Sequence, residues 1–119
     1  MRRYRSQIPI RFSDLDTLGV VNHARYLTYC EESRSGFFAL MHEHGGSHLL
    51  SSGVTVAHVE CDYHHSLHLD IRKVMVSCWV ESLGRSSFNL AYEVRAGRVL
   101  AAQVRATLVA TNLKGASRH

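Results

Sequence analysis

Asp14, Asp16, Asn22 and His23 fall within ten positions of one another, with Gly19 between them. Such a set can carry out acyl transfer if a helix begins just behind it. A helix N-terminus presents unpaired N–H groups at the positive end of its dipole. Those groups stabilise a carbonyl oxygen as it takes up negative charge. A carboxylate in the preceding loop then attacks the acyl carbon or activates a water. Gly19 has no side chain, so a substrate or another backbone can come close there. Asp and Asn ahead of a helix are also ordinary turn and cap residues, and spacing alone leaves that reading open.

Other residues invite other chemistry. Among nine histidines, two clusters stand out: His42-Glu43-His44 and Asp62-Tyr63-His64-His65-Ser66-Leu67-His68. Neither has the His-Glu-x-x-His or Cys/His spacing of a zinc site, so no metal is expected. Glu31 and Glu32 are candidate bases. Adjacent glutamates within a helix, however, ordinarily face solvent or pair with a basic residue such as Arg25 or Arg34. Cys30 has no charge arrangement near it that favours the thiolate and reads as a packed thiol. There is no Gly-x-Ser-x-Gly elbow and no Gly-rich phosphate loop. Arg85, beside Gly84, reads by itself as a turn arginine.

The elements that must hold these residues follow from periodicity. Ser6, Ile8, Ile10 and Phe12 share one face of a strand over 6–12, and Pro9 suits it to a sheet edge. Asn22 is placed as an N-cap. From His23 to about Gly45, Tyr26, Leu27, Cys30, Phe37, Phe38 and Met41 recur at helical spacing, about six turns in all. Gly45-Gly46 ends that helix, and residues 47–53 form a connector with room for one helical turn at His48-Leu49-Leu50. Strands follow. Over 54–63, Thr55, Ala57, Val59, Cys61 and Tyr63 alternate with Val54, Val56, His58, Glu60 and Asp62. Over 74–83, Val74, Val76, Cys78 and Val80 share a face. Phe88, Leu90, Tyr92 and Val94 mark the next strand, Ala96-Gly97-Arg98 a tight hairpin, and 99–110 the last strand. Short turns make the last four strands mostly antiparallel. The expected fold class is α+β, a five-stranded sheet wrapped around one long central helix, as a single domain over 1–119. The uncovered sheet face and edge predict a homodimer through strand pairing or sheet stacking.

The bulk properties fit. The chain has 119 residues, 45% hydrophobic and 20% charged, which suits one globular domain. No apolar stretch is long enough to cross a bilayer, and the basic start has no apolar run behind it. The cytoplasm is therefore the expected compartment. Cys30, Cys61 and Cys78 are too few for a disulfide framework. The formal charge is +4, and twelve of the fourteen basic residues are arginines. They are scattered and match no nucleic-acid-binding pattern, so no nucleic acid is expected. A small phosphorylated ligand suits them equally well.

The run Arg11-Phe12-Ser13-Asp14-Leu15-Asp16-Thr17-Leu18-Gly19-Val20-Val21-Asn22-His23-Ala24-Arg25-Tyr26-Leu27 closely resembles the signature of the 4-hydroxybenzoyl-CoA thioesterase family. Tyr29-Cys30-Glu31-Glu32-Ser33-Arg34-Ser35-Gly36-Phe37-Phe38 and Leu83-Gly84-Arg85-Ser86-Ser87-Phe88 are similar to later family segments. The similarity runs from about Ile8 to Val109, and the bacterial short- or medium-chain acyl-CoA thioesterases look nearest. The resemblance implies a hot-dog fold and hydrolysis of acyl-CoA without metal or redox cofactor. It implies that Asp16 is the catalytic carboxylate, as nucleophile or general base, with the backbone N–H near His23 polarising the thioester carbonyl. The His23 ring assists proton transfer or orients Asp16. Gly19, Asn22 and Tyr26 shape the loop and line the acyl pocket. Arg85, Ser86 and Ser87 contact CoA, often across the interface of a homodimer or homotetramer. The chain stops at Gly115-Ala116-Ser117-Arg118-His119, short of the tail many relatives carry, so the resemblance supports no CoA contacts there. An acyl carrier protein as the acyl donor, or a non-catalytic acyl-CoA-binding module, are the alternatives.

Overall fold

Alternating apolar side chains build five strands in the computed structural model, which describes residues 3–43 and 53–110. The strands are β1 (Tyr4–Pro9), β2 (Val54–Tyr63), β3 (Lys73–Leu83), β4 (Ser87–Ala96) and β5 (Val99–Ala110). One long helix, α1 (His23–Glu43), comes between β1 and β2 in the chain. The strands form one sheet in the order β1-β3-β4-β5-β2, and every neighbouring pair is antiparallel. The α+β class and the five-strands-on-one-helix architecture are as the periodicity predicts.

Val74, Val76 and Cys78 of β3, Leu90, Tyr92 and Val94 of β4, and Ala102, Val104 and Leu108 of β5 point to the helix side and are buried. α1 meets them with Tyr26, Tyr29, Cys30 and Ser33, which lie at i, i+3, i+4 and i+7 and are all buried. The helix packs more on β1 and β3 than on β4 and β5. Gly36 lies directly under the Tyr4 ring of β1, which stacks on Phe37 with centroids 5.7 Å apart. Between β4 and β5, Gly97 has φ +60°. A glycine in the left-handed region at the first of two loop positions makes the tight hairpin expected there.

Two boundaries differ from the periodic reading. β1 stops at Pro9, and Phe12, expected on the inner face, is 79% exposed. The Ile10 amide still donates in register to the Arg72 carbonyl (2.7 Å), and the ladder stops there because Arg72 turns out of strand geometry (φ 71°) and residues Phe12–Asp14 wind into a 3-10 turn. The Asp14 carboxylate accepts the Arg11 amide at the start of that turn (2.9 Å). In β2, the register against β5 shifts between Val56 and His58. This bulge adds one residue, so Val56 joins Val59 on the helix side instead of alternating away from it.

β1 and β2 are the two edges of the sheet, and Pro9 is on one of them as expected. Among the described residues, no helix is long and apolar enough to cross a membrane. The expected helix end at Gly45-Gly46, the turn at His48-Leu49-Leu50, His44 and the tail at 115–119 lie outside the described residues.

Candidate active site

The stretch from the 3-10 turn to the first turn of α1 closes on itself. Leu15 and Val21 form an antiparallel bridge, and the Asp16 amide donates to the Val20 carbonyl (2.8 Å). The Gly19 amide donates to the Asp16 carbonyl (3.1 Å), and Gly19 has φ +81°, which its lack of a Cβ permits. Asp16 is therefore the first residue of a tight turn. Its Oδ1 accepts the Leu18 amide at 2.8 Å and the Val20 amide at 3.4 Å, while Oδ2 has no hydrogen-bond partner among the described residues. The side chain is exposed. Asp16 thus takes a turn role through one oxygen and leaves the other available.

Asn22 caps α1. Its Oδ1 accepts the Ala24 amide (2.9 Å), and its carbonyl accepts the Arg25 amide (2.9 Å). Among the described residues, no acceptor meets the amide of His23, the first helical residue. This N–H is the unpaired donor expected at a helix start. The His23 ring packs against Tyr63 of β2, with centroids 4.6 Å apart, and the Tyr63 hydroxyl donates to the His23 carbonyl (3.0 Å). Partial desolvation and a hydrogen bond with Cys61 push the Tyr63 phenol up to about 12. Among the described residues, no hydrogen bond joins His23 to Asp16. Tyr26 is buried one turn further on. Its ring meets the edge of Tyr63, and its hydroxyl donates to the His65 carbonyl (3.0 Å). Tyr63 was not singled out in the sequence, although its place at the inward end of an alternating strand was visible.

Asp14 differs from Asp16. It is buried, and its Oδ2 accepts the Tyr29 hydroxyl at 2.7 Å as well as the Arg11 amide. Its carbonyl accepts the Asn22 amide (2.9 Å). Burial, then the bond to Asp14, pushes the Tyr29 phenol far above its ordinary range. Glu31 and Glu32 form ion pairs with Arg34 (3.8 Å) and Arg11 (2.7 Å). Burial pushes the Cys30 thiol up, as a packed thiol requires. Among the described residues, no cluster of three His, Cys, Asp or Glu could hold a metal ion.

Arg85 and Ser86 form the β3–β4 turn with Gly84, and Ser87 begins β4. The Ser86 carbonyl accepts the Ala110 amide (2.8 Å), and the Ser87 carbonyl accepts the Gly84 amide (2.7 Å). β3 pairs with Pro9 at Lys73 and with Phe88 at Leu83, so this turn is at the opposite end of the sheet from residues 10–22. Eleven residues of strand span roughly 33 Å. One chain does not bring Arg85 and Asp16 together. Between α1 and β2 runs a groove of about 170 Å³, lined by Leu27, Cys30, Val56, Val59, Tyr92 and Val104 among others.

A family model described as the thioesterase superfamily matches residues 18–102. A thioesterase from Thermus thermophilus, solved with coenzyme A and zinc, is 32% identical. That match covers 97% of this chain and 84% of that one, with a TM-score of 0.81. A DHNA-CoA thioesterase from Staphylococcus aureus is 23% identical over 100% of this chain and 81% of that one (TM-score 0.80). A 1,4-dihydroxy-2-naphthoyl-CoA thioesterase from Synechocystis is 18% identical over 98% and 88% (TM-score 0.80). A search of curated proteins returned no match. The architecture shared with these structures, one helix on a five-stranded antiparallel sheet, is the hot-dog fold. The chain belongs to the thioesterase superfamily and is a thioester hydrolase.

Proposed function

We propose that the chain hydrolyses acyl-CoA thioesters to the free acid and CoA, with Asp16 as the catalytic carboxylate. The observation that carries this reading is the closure of loop 15–21. It ties a turn with one uncommitted carboxylate oxygen to a helix start with one uncommitted amide. The thioester carbonyl accepts from the His23 amide, which stabilises the oxyanion as charge builds. Asp16 Oδ2 either attacks the carbonyl carbon, giving a mixed anhydride that water then cleaves, or takes a proton from the attacking water. CoA departs as the thiolate. Carboxylate and amide dipoles between them supply attack and polarisation, so the reading calls for no metal or redox cofactor. Gly19 keeps the approach open. Tyr26, held by His65 and Tyr63, backs the acyl end, and Asn22 shapes the loop.

The reading includes a homodimer. β2 is an edge strand, and Val56, Val59 and Tyr63 on it are exposed. A second β2 laid antiparallel across a twofold axis would cover them. Such pairing reverses one sheet against the other. It brings the partner's 84–87 turn to the Asp16 end, where the guanidinium and hydroxyls of Arg85, Ser86 and Ser87 meet the CoA phosphates. The T. thermophilus relative that holds coenzyme A supports this choice of substrate.

Thiol release from a panel of acyl-CoA thioesters tests the reading. Asp16→Asn is expected to lower kcat by about a hundredfold or more, with CoA affinity and melting temperature near the parent values. Near-parental turnover would remove Asp16 from its role. Faster turnover of the same acyl group on an acyl carrier protein would change the assigned substrate. Ligand binding without thiol release from either carrier would leave an acyl-CoA-binding module.

A further inference from the structure

We infer that Asp14 and Tyr29 are positioning residues that set where Asp16 stands relative to the start of α1, an inference that rests on the catalytic reading of Asp16. One stripe of the helix grips the turn ahead of the loop. Arg25, Tyr29 and Glu32 lie at i, i+4 and i+7, a single helical face. Arg25 Nε approaches Asp14 Oδ1 at 3.7 Å, the Tyr29 hydroxyl donates to Asp14 Oδ2 at 2.7 Å, and Glu32 takes Arg11 in a two-pronged pair at 2.7 and 3.3 Å. From the other side, the Asp14 carbonyl holds the amide of Asn22, the cap residue. Asp14 is thus fastened to the second turn of α1 through its side chain and to the helix cap through its backbone. Asp16 is two residues away, on the loop that these fastenings close.

The three contacts differ in strength. The Glu32–Arg11 pair is exposed and holds geometry weakly, and the exposed Arg25 guanidinium reaches Asp14 only at a long 3.7 Å. The Tyr29–Asp14 bond is buried, where hydrogen bonds to a carboxylate are strong and a lost partner is felt in full. It fixes the distance between carboxylate and helix amide while touching neither substrate nor reacting atoms. A misplacement near 1 Å lowers turnover by up to about a hundredfold while leaving ground-state binding much as it was.

Tyr29→Phe removes only the hydroxyl, and Asp14→Asn removes the charged acceptor while keeping the shape. Both are measured with the parent and Asp16→Asn enzymes, on protein shown to be folded by near-ultraviolet circular dichroism. The expected result is a kcat loss of about tenfold to a hundredfold with KM for acyl-CoA within about twofold. The double variant is expected to be no worse than the poorer single one, because both act on the same bond. Gly36→Ala, two turns further along α1, serves as the control for destabilisation away from the site: its melting temperature falls and its kcat stays at the parent value. An unchanged kcat in folded Tyr29→Phe, a loss confined to KM, or additive losses in the double variant would overturn the inference. Failure of Tyr29→Phe to fold would overturn it too, since the bond would then serve stability alone. If Asp16→Asn keeps parental activity, the catalytic reading fails by itself, whatever the Tyr29 result.

Discussion

Tyr29, Tyr92, Cys30 and Cys78 share one property: burial holds each in its neutral form, pushing their ionisation up, that of Cys78 to about 12. On unfolding they return to ordinary values of 9.0 for thiols and 10.0 for phenols. Between those values and the folded ones, the unfolded chain binds fewer protons than the folded chain, so stability falls as pH rises. The contribution is fully present below pH 9.0 and lost above it. Melting temperature is expected to level off below that pH and to decline steadily above it. Phenolate absorbance from the buried tyrosines should appear only as the fold is lost. A melting temperature that is flat through the alkaline range would contradict the burial of these groups. The same burial disfavours the Cys30 thiolate, as a packed thiol requires.

Among elements, α1 and β1 are fitted to one another at Gly36. Alanine there gains about 1 kcal/mol of helix propensity. Its Cβ, however, would collide with the Tyr4 hydroxyl and press on the ring. Tyr4 is held by its stacking on Phe37, so it cannot swing away freely. Overpacking of this kind costs about 1–3 kcal/mol, and the clash outweighs the gain. Gly36→Ala alone is expected to lower the melting temperature. In a Tyr4→Ala background the same change is expected to raise it, because helix propensity then acts unopposed. The same sign in both backgrounds, read by thermal denaturation, would rule out the close approach as the reason for glycine.

For the whole molecule, the distance from Asp16 to the β3–β4 turn is decisive. The two lie at opposite ends of an eleven-residue strand, so a site using both draws on two chains. Arg85→Ala is expected to raise KM for acyl-CoA more than it lowers kcat, since a remote phosphate contact serves ground and transition states alike. Mixing Asp16→Asn subunits with Arg85→Ala subunits, after dissociation and reassembly, is expected to recover activity beyond either parent at acyl-CoA concentrations well below the Arg85→Ala KM. Each hybrid dimer then has one site with an intact Asp16 and an intact Arg85. No gain on mixing, with hybrids shown to form, would mean that each chain works alone.

Periodicity made most of the scaffold legible. A period of two marked five strands, a period near 3.6 marked α1, and Asn22 announced its start, because side-chain direction follows local backbone geometry. The loop from Asp14 to His23 stood out by residue type alone. Three things were settled only by the folded chain. Alternation continued through Phe12 and across Val56, while a 3-10 turn closed by its own hydrogen bonds and a bulge in the pairing with β5 sent those side chains elsewhere. Residue type and spacing did not separate Asp14 from Asp16, and only the family resemblance singled out Asp16. A tyrosine fifteen residues away on the helix made one a buried anchor and left the other exposed. Arg85 and Asp16 belong to motifs that one chain holds far apart. Local spacing sets which way a side chain points, but what it meets depends on which elements pack together.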